Sequence, residues 1–210
     1  MWELVKAGGW LMLPLVLCSV FTVAITIERF IRLKKSLILP QALLLKVGQS
    51  ADTAVQQLKQ SAELKNTPLG RIFLSAYQSK TKSPEYVRAQ MEATASQEIG
   101  YLERNINFLG TLSAVAPLLG LLGTVLGIIE SFLVIDLGST SNPTLMIPGI
   151  SKALITTAAG MLIAIPALFA YRYFQRLVQE YVAELEQQAT LFHASLFVEN
   201  DVNDDVKKAS

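Results

Sequence analysis

Three stretches of this 210-residue chain, 7–27, 108–129 and 153–171, each run for close to twenty residues without one charged side chain. A helix rises about 1.5 Å per residue, so about 20 apolar residues cross the roughly 30 Å hydrocarbon core of a bilayer. Backbone groups inside that core find no water, which restricts such runs to helices that bond internally. With 51% hydrophobic residues and a mean hydropathy of +0.40, the chain reads as an all-α integral membrane protein with three transmembrane helices.

The first run is followed by Arg29, Arg32, Lys34 and Lys35 and shows no small-residue cleavage site before them, so it is expected to be a retained anchor. Arg104, Arg172 and Arg176 fall on the same side as that cluster, against Lys6 and Lys152 on the other. The excess of positive charge places the N-terminus outside and the C-terminus inside. For a bacterial inner membrane the expected order is a periplasmic tail 1–6, membrane helix 7–27, cytoplasmic helical region 28–107, membrane helix 108–135, periplasmic loop 136–149, membrane helix 150–171 and cytoplasmic helix and tail 172–210. Trp2 and Trp10 suit the outer interface, Tyr171 and Tyr173 the inner one.

Thr67–Pro68 and Ser83–Pro84–Glu85 each set a capping residue before a proline, predicting helix starts at both places. No proline interrupts the chain between Pro84 and Pro117, so the second membrane helix is expected to continue into the cytoplasm. The third is expected to continue through Phe174, Leu177, Val178, Tyr181, Leu185, Ala189 and Phe192. The polar stretch 199–210 predicts a frayed tail, and Gly138 to Pro143 with Pro148–Gly149 predict a turn between the last two spans.

Within the second span, Gly110, Ser113, Pro117, Gly120, Thr124, Gly127 and Ser131 recur at steps of three and four and stack into one seam. Leu112, Leu119, Leu122, Leu126, Ile128 and Ile129 fall largely outside it. Lipid covers leucines, so the seam is expected to face a protein partner or a pore. The third span repeats the theme in Gly149, Ala153, Thr156, Gly160, Ala164 and Ala167, with Thr157 beside them. Two such seams suggest assembly of several copies.

A net charge of +1 gives no nucleic-acid signature, and the single Cys18 excludes an intrachain disulfide. There is no nucleophile with a base, no phosphate-cradling glycine loop and no metal-ligand spacing, so neither an enzyme nor a cofactor or metal site is expected. The only histidine, His193, reads as an ordinary helix-face residue.

The runs Ala116-Pro-Leu-Leu-Gly-Leu-Leu-Gly-Thr-Val-Leu-Gly127, Pro148-Gly-Ile-Ser-Lys-Ala-Leu-Ile-Thr-Thr-Ala-Ala-Gly160 and Ala164-Ile-Pro-Ala167 resemble the MotA/TolQ/ExbB proton-channel family, nearest its ExbB branch. The resemblance implies a homopentameric ring whose second and third helices line a lumen. That lumen holds two single-span helices of an ExbD-like partner, and the complex draws on proton-motive force to drive TonB and outer-membrane transport. It implies lumen positions for Thr124 and Thr157, with Ser113 and Ser131 as further hydroxyls and Gly110, Gly120, Gly127 and Gly160 as packing positions. A threonine cannot hold a proton across physiological pH, so the titratable carrier is expected on the partner, as an aspartate in the family.

Where many family members have a glutamate this chain has Lys152, so a carboxylate role is not carried over. Glu130 and Lys152 lie near the outer ends of their spans, where either a charge pair between them or separate snorkelling to the outer interface is expected. Two alternatives stand beside the ExbB-type reading: a TolQ-type subunit for envelope maintenance, and a non-conducting scaffold in the bilayer. A flagellar stator is disfavoured by three spans where that branch has four.

Overall fold

The computed structural model describes residues 8–46, 49–137 and 143–208. The expected N-terminal tail with Trp2 and Lys6, and the turn residues 138–142, lie outside the described residues. Among those described, all regular structure is helical: α1 Met12–Arg32, α2 Lys35–Ile38, α3 Ala51–Gln60, α4 Ala62–Lys65, α5 Pro68–Gln78, α6 Pro84–Leu137 and α7 Ile147–Lys208, with 3₁₀ turns at Gln41–Leu43 and Pro143–Met146. The helices α1, α6 and α7 are long and apolar enough to cross a membrane.

Local chemistry sets the helix starts. The Thr67 hydroxyl accepts from the Gly70 amide at 3.1 Å ahead of α5, and the Ser83 hydroxyl accepts from the Tyr86 amide at 3.3 Å ahead of α6. Each proline then occupies the first helical position, where its missing N–H costs nothing. α1 starts at Met12 rather than at residue 7, because Gly9 has φ +74°, a left-handed conformation that breaks the helical path and suits glycine. At the other end α7 continues to Lys208, through the stretch expected to fray. No glycine or proline interrupts it there, and extending an existing helix fixes one residue per added hydrogen bond.

The chain divides into two compact units. The first, Met1–Arg29 with Asn105–Phe174, holds α1 and the apolar lengths of α6 and α7. Met12 and Leu15 of α1 pack with Ala116 of α6 and Ala164 of α7, and Leu119, Ala159 and Ile163 close over them. Asn105 donates to the Glu28 carboxylate at 2.7 Å, and Phe21 meets Phe108 edge to face at 6.1 Å, so α1 and α6 are joined by both polar and aromatic contacts. Leu112 is buried and Leu119 packs on the core formed with α1 and α7, which corrects the expectation that both face lipid: neighbouring helices of the same chain occupy that side of α6.

The second unit, Phe30–Arg104 with Gln175–Ser210, is a helical bundle with a core that includes Leu58, Ile72, Phe73, Val87, Leu185 and Phe192. Phe73 of α5 stacks on Phe192 of α7 with centroids 4.1 Å apart. The Gln188 side chain accepts from the Leu45 amide at 2.7 Å and donates to the Leu45 carbonyl at 3.4 Å, tying an extended segment to α7. The Tyr181 hydroxyl donates to the Leu33 carbonyl at 2.9 Å. Glu98, 9% exposed at its side chain, is held by Arg71 at 2.9 Å, which keeps a buried carboxylate paired.

Candidate functional site

The small residues of α6 and α7 meet each other inside a single chain. A methyl added at Gly120 would lie 3.1 Å from the Thr156 carbonyl oxygen and the Thr157 Cα. One at Gly127 would lie 2.7 Å from the Gly149 carbonyl oxygen, and one at Gly160 would lie 2.6 Å from that of Ala116. At Gly110 the neighbour is the Tyr171 ring, at 2.9 Å. This corrects the expectation that the α6 seam needs a second copy or a pore along its whole width. α6 and α7 are joined by a short connection, so the first partner available to a close-packing face is the neighbouring helix.

The centre of this contact is turned from the seam chosen on spacing. At about 100° per residue, Ala116, Gly120, Gly123 and Gly127 form the face against α7, while Ser113, Pro117 and Thr124 lie about 70° round on its flank. Gly123 takes the tightest place: a methyl there would run into the Thr156 Oγ1 and lie 2.6 Å from its Cβ. Its signal was present in the sequence, since Gly120, Gly123 and Gly127 also step by three and four.

The hydroxyls divide accordingly. Ser131 and Thr156 are enclosed between the helices, 2% and 1% exposed. Ser131 donates to the Gly127 carbonyl at 2.9 Å and lies 3.3 Å from that of Met146, while Thr156 donates to Ala153 at 2.8 Å. Ser131 therefore sits in the intrachain contact rather than on a surface of this chain, a correction to its expected lumen position. Its register places it one turn beyond Gly127, where Gly149 approaches. Ser113, Thr124 and Thr157 are half-buried. Ser113 donates to Gly110 at 2.7 Å and Thr124 to Leu121 at 2.7 Å, both within α6. Thr157 donates across the contact to the Gly120 carbonyl at 3.0 Å. Thr124 is bordered by exposed Leu121, Val125 and Ile128, so the polar flank is a narrow strip beside apolar surface.

Lys152 Nζ lies 2.9 and 2.7 Å from the two Glu130 carboxylate oxygens. The lysine stem crosses Gly9, so a side chain there would displace the Lys152 amine, and the left-handed φ of +74° at that position independently suits glycine. Spacing alone does not reveal Gly9, because it acts on a residue more than a hundred positions away. Between these charges and the inner ends, residues 106–129 and 153–170 contain no acid, base or histidine.

The second unit has a groove of about 630 Å³ between α6 and α7, lined among others by Met91, Ala95, Ile99, Leu185 and His193. His193 Nε2 lies 3.0 Å from the Pro84 carbonyl oxygen, so the ring ties α7 to the start of α6. Among the described residues no group of three or more metal-ligating side chains is clustered.

The sequence pattern of the MotA/TolQ/ExbB proton channel family matches residues 64–187. The chain is 35% identical over 202 residues to biopolymer transport protein ExbB-like 1 of Synechocystis sp., covering 91% of this chain and 78% of that protein. It is 31% identical over 207 residues to biopolymer transport protein exbB1 of Vibrio cholerae, covering 94% and 88%. It is also 35% identical over 111 residues to Tol-Pal system protein TolQ of Haemophilus influenzae, covering 51% and 49%.

Proposed function

Since the chain belongs to the MotA/TolQ/ExbB proton channel family, we propose that it is a subunit of an inner-membrane complex that couples proton-motive force to work at the outer membrane. Copies of the chain form a homopentameric ring, with the N-terminus periplasmic and the C-terminus cytoplasmic. The ring encloses two single-span helices of an ExbD-like partner, and the complex acts on a TonB-like protein to energise outer-membrane transport. The subunit is not an enzyme.

The observation that carries this reading is the half-buried strip of Ser113, Thr124 and Thr157 on two helices that contain no acid, base or histidine over 106–129 and 153–170. Such a strip solvates a proton path and cannot supply the titrating group, so it calls for a guest that does. Each charge crossing releases roughly 2.3 kcal/mol per 100 mV, enough in a few crossings to shift conformers a few kcal/mol apart. A Tol-type role is the second reading, supported by the TolQ relative; deletion of either system separates them by whether this chain restores transport or envelope integrity. In the test, Thr157→Val and Thr124→Val are expected to impair energised transport while the assembled complex is recovered intact. Full activity in both variants would favour the non-conducting scaffold.

A further inference from the structure

The three half-buried hydroxyls Ser113, Thr124 and Thr157 direct their protons to backbone carbonyls, of Gly110, Leu121 and Gly120, at 2.7, 2.7 and 3.0 Å. A hydroxyl has one proton and two acceptor lone pairs. The half-buried ones therefore present only lone pairs to whatever lies against the flank. Pro117 sits inside α6 and has no N–H, so the Ser113 carbonyl four residues earlier lacks its helical donor. Residues 113, 117 and 124 share the flank, and Thr124 lies two turns, about 10 Å, beyond Pro117.

We infer that this flank is an acceptor-only strip whose ligand is an O–H donor, and that Pro117 serves it by freeing the Ser113 carbonyl. The inference rests on the proposed function and deepens it, by stating which form of the guest the strip recognises. A neutral carboxyl or a water molecule donates to it. An ionised carboxylate has only acceptors and gains nothing there, so the strip favours the guest after it has taken up its proton. Hydrocarbon offers the carbonyl no donor, so the strip is a poor lipid-facing surface.

The test separates the missing N–H from the bend. Pro117→Ala restores the N–H, whereas lactic acid placed at 117 by nonsense suppression has neither the ring nor the N–H. With full-length chain and its partner, Pro117→Ala is expected to lower energised transport about tenfold, the equivalent of one hydrogen bond, with the lactate variant within about twofold of wild type. Equal loss in both variants assigns Pro117 to bending and overturns the inference, as does full activity in Pro117→Ala. If either variant fails to assemble, wild-type protein labelled at serine carbonyl carbons decides by infrared spectroscopy. A free serine carbonyl band is expected, shifting to lower frequency on hydration of the chain alone if water is the donor, or on adding the carboxyl-bearing partner if the guest is. No free band, or a band indifferent to both, overturns it. Loss in Thr124→Val and Thr157→Val with full activity in Pro117→Ala removes this inference alone; full activity in the threonine variants removes the functional reading beneath it.

Discussion

Gly123→Ala tests whether the small-residue faces meet within one chain. The added methyl would stand 2.6 Å from Thr156 Cβ and 3.2 Å from Cγ2, besides meeting the Thr156 hydroxyl oxygen. Overpacking of this kind costs about 1–3 kcal/mol, and three close atoms put it near the top of that range. Replacing glycine by alanine in a helix returns about 1 kcal/mol, leaving a net loss of about 2 kcal/mol. The obstacle is wholly the Thr156 side chain, so Thr156→Gly should relieve it. The double variant is expected to recover the whole overpacking cost, about 3 kcal/mol relative to the sum of the singles, read as coupling in a double-mutant cycle. Gly160→Ala is the control, because its neighbours are the Ala116 carbonyl oxygen at 2.6 Å and the Gly120 backbone at 3.1 Å. No side-chain change removes backbone, so Thr156→Gly should not rescue it. Unfolding in graded detergent mixtures, followed by circular dichroism, measures the wild type, the three single variants and the two doubles. Additive losses for Gly123→Ala and Thr156→Gly would refute the intrachain contact.

Reversing Glu130 or Lys152 singly should weaken the protein by no more than about 1 kcal/mol, since both side chains are partly exposed, and reversing both should restore it; a melting series in detergent checks this. In the second unit Phe192→Ala removes a fully buried ring stacked on Phe73, and a loss of about 3–5 kcal/mol is expected in the same unfolding assay. Lys80 and Lys59 stand over the Tyr77 ring and hold its phenol below the usual tyrosine range, Lys80 most strongly. Folding therefore favours the phenolate, and this group's contribution to stability rises with pH through its folded value toward about 10; phenolate absorbance should show Lys80→Ala titrating higher.

Much of the fold was legible because its signals are local. The prolines after Thr67 and Ser83 mark helix starts through capping, which needs no tertiary context. The uncharged runs mark spans through their length alone. The direction of the seam was not legible, because lipid and a neighbouring helix are equally apolar and both accept leucine. On spacing alone Leu112 and Leu119 read as lipid-facing, whereas they are packed; Gly123 rather than Thr124 centres the contact, and Ser131 lies enclosed between the helices. The helices α2 and α4 carry four residues each, too few for a periodic pattern to separate them from loop.

The proposed proton path requires the Thr124 flank to face the single-span partner in the assembled complex. A photo-crosslinking side chain at position 124, compared with one at Leu162, which is 71% exposed, tests that directly. An adduct from 124 to the single-span partner is expected, with adducts from 162 to lipid. Partner adducts from 162 with only lipid captured at 124 would contradict it.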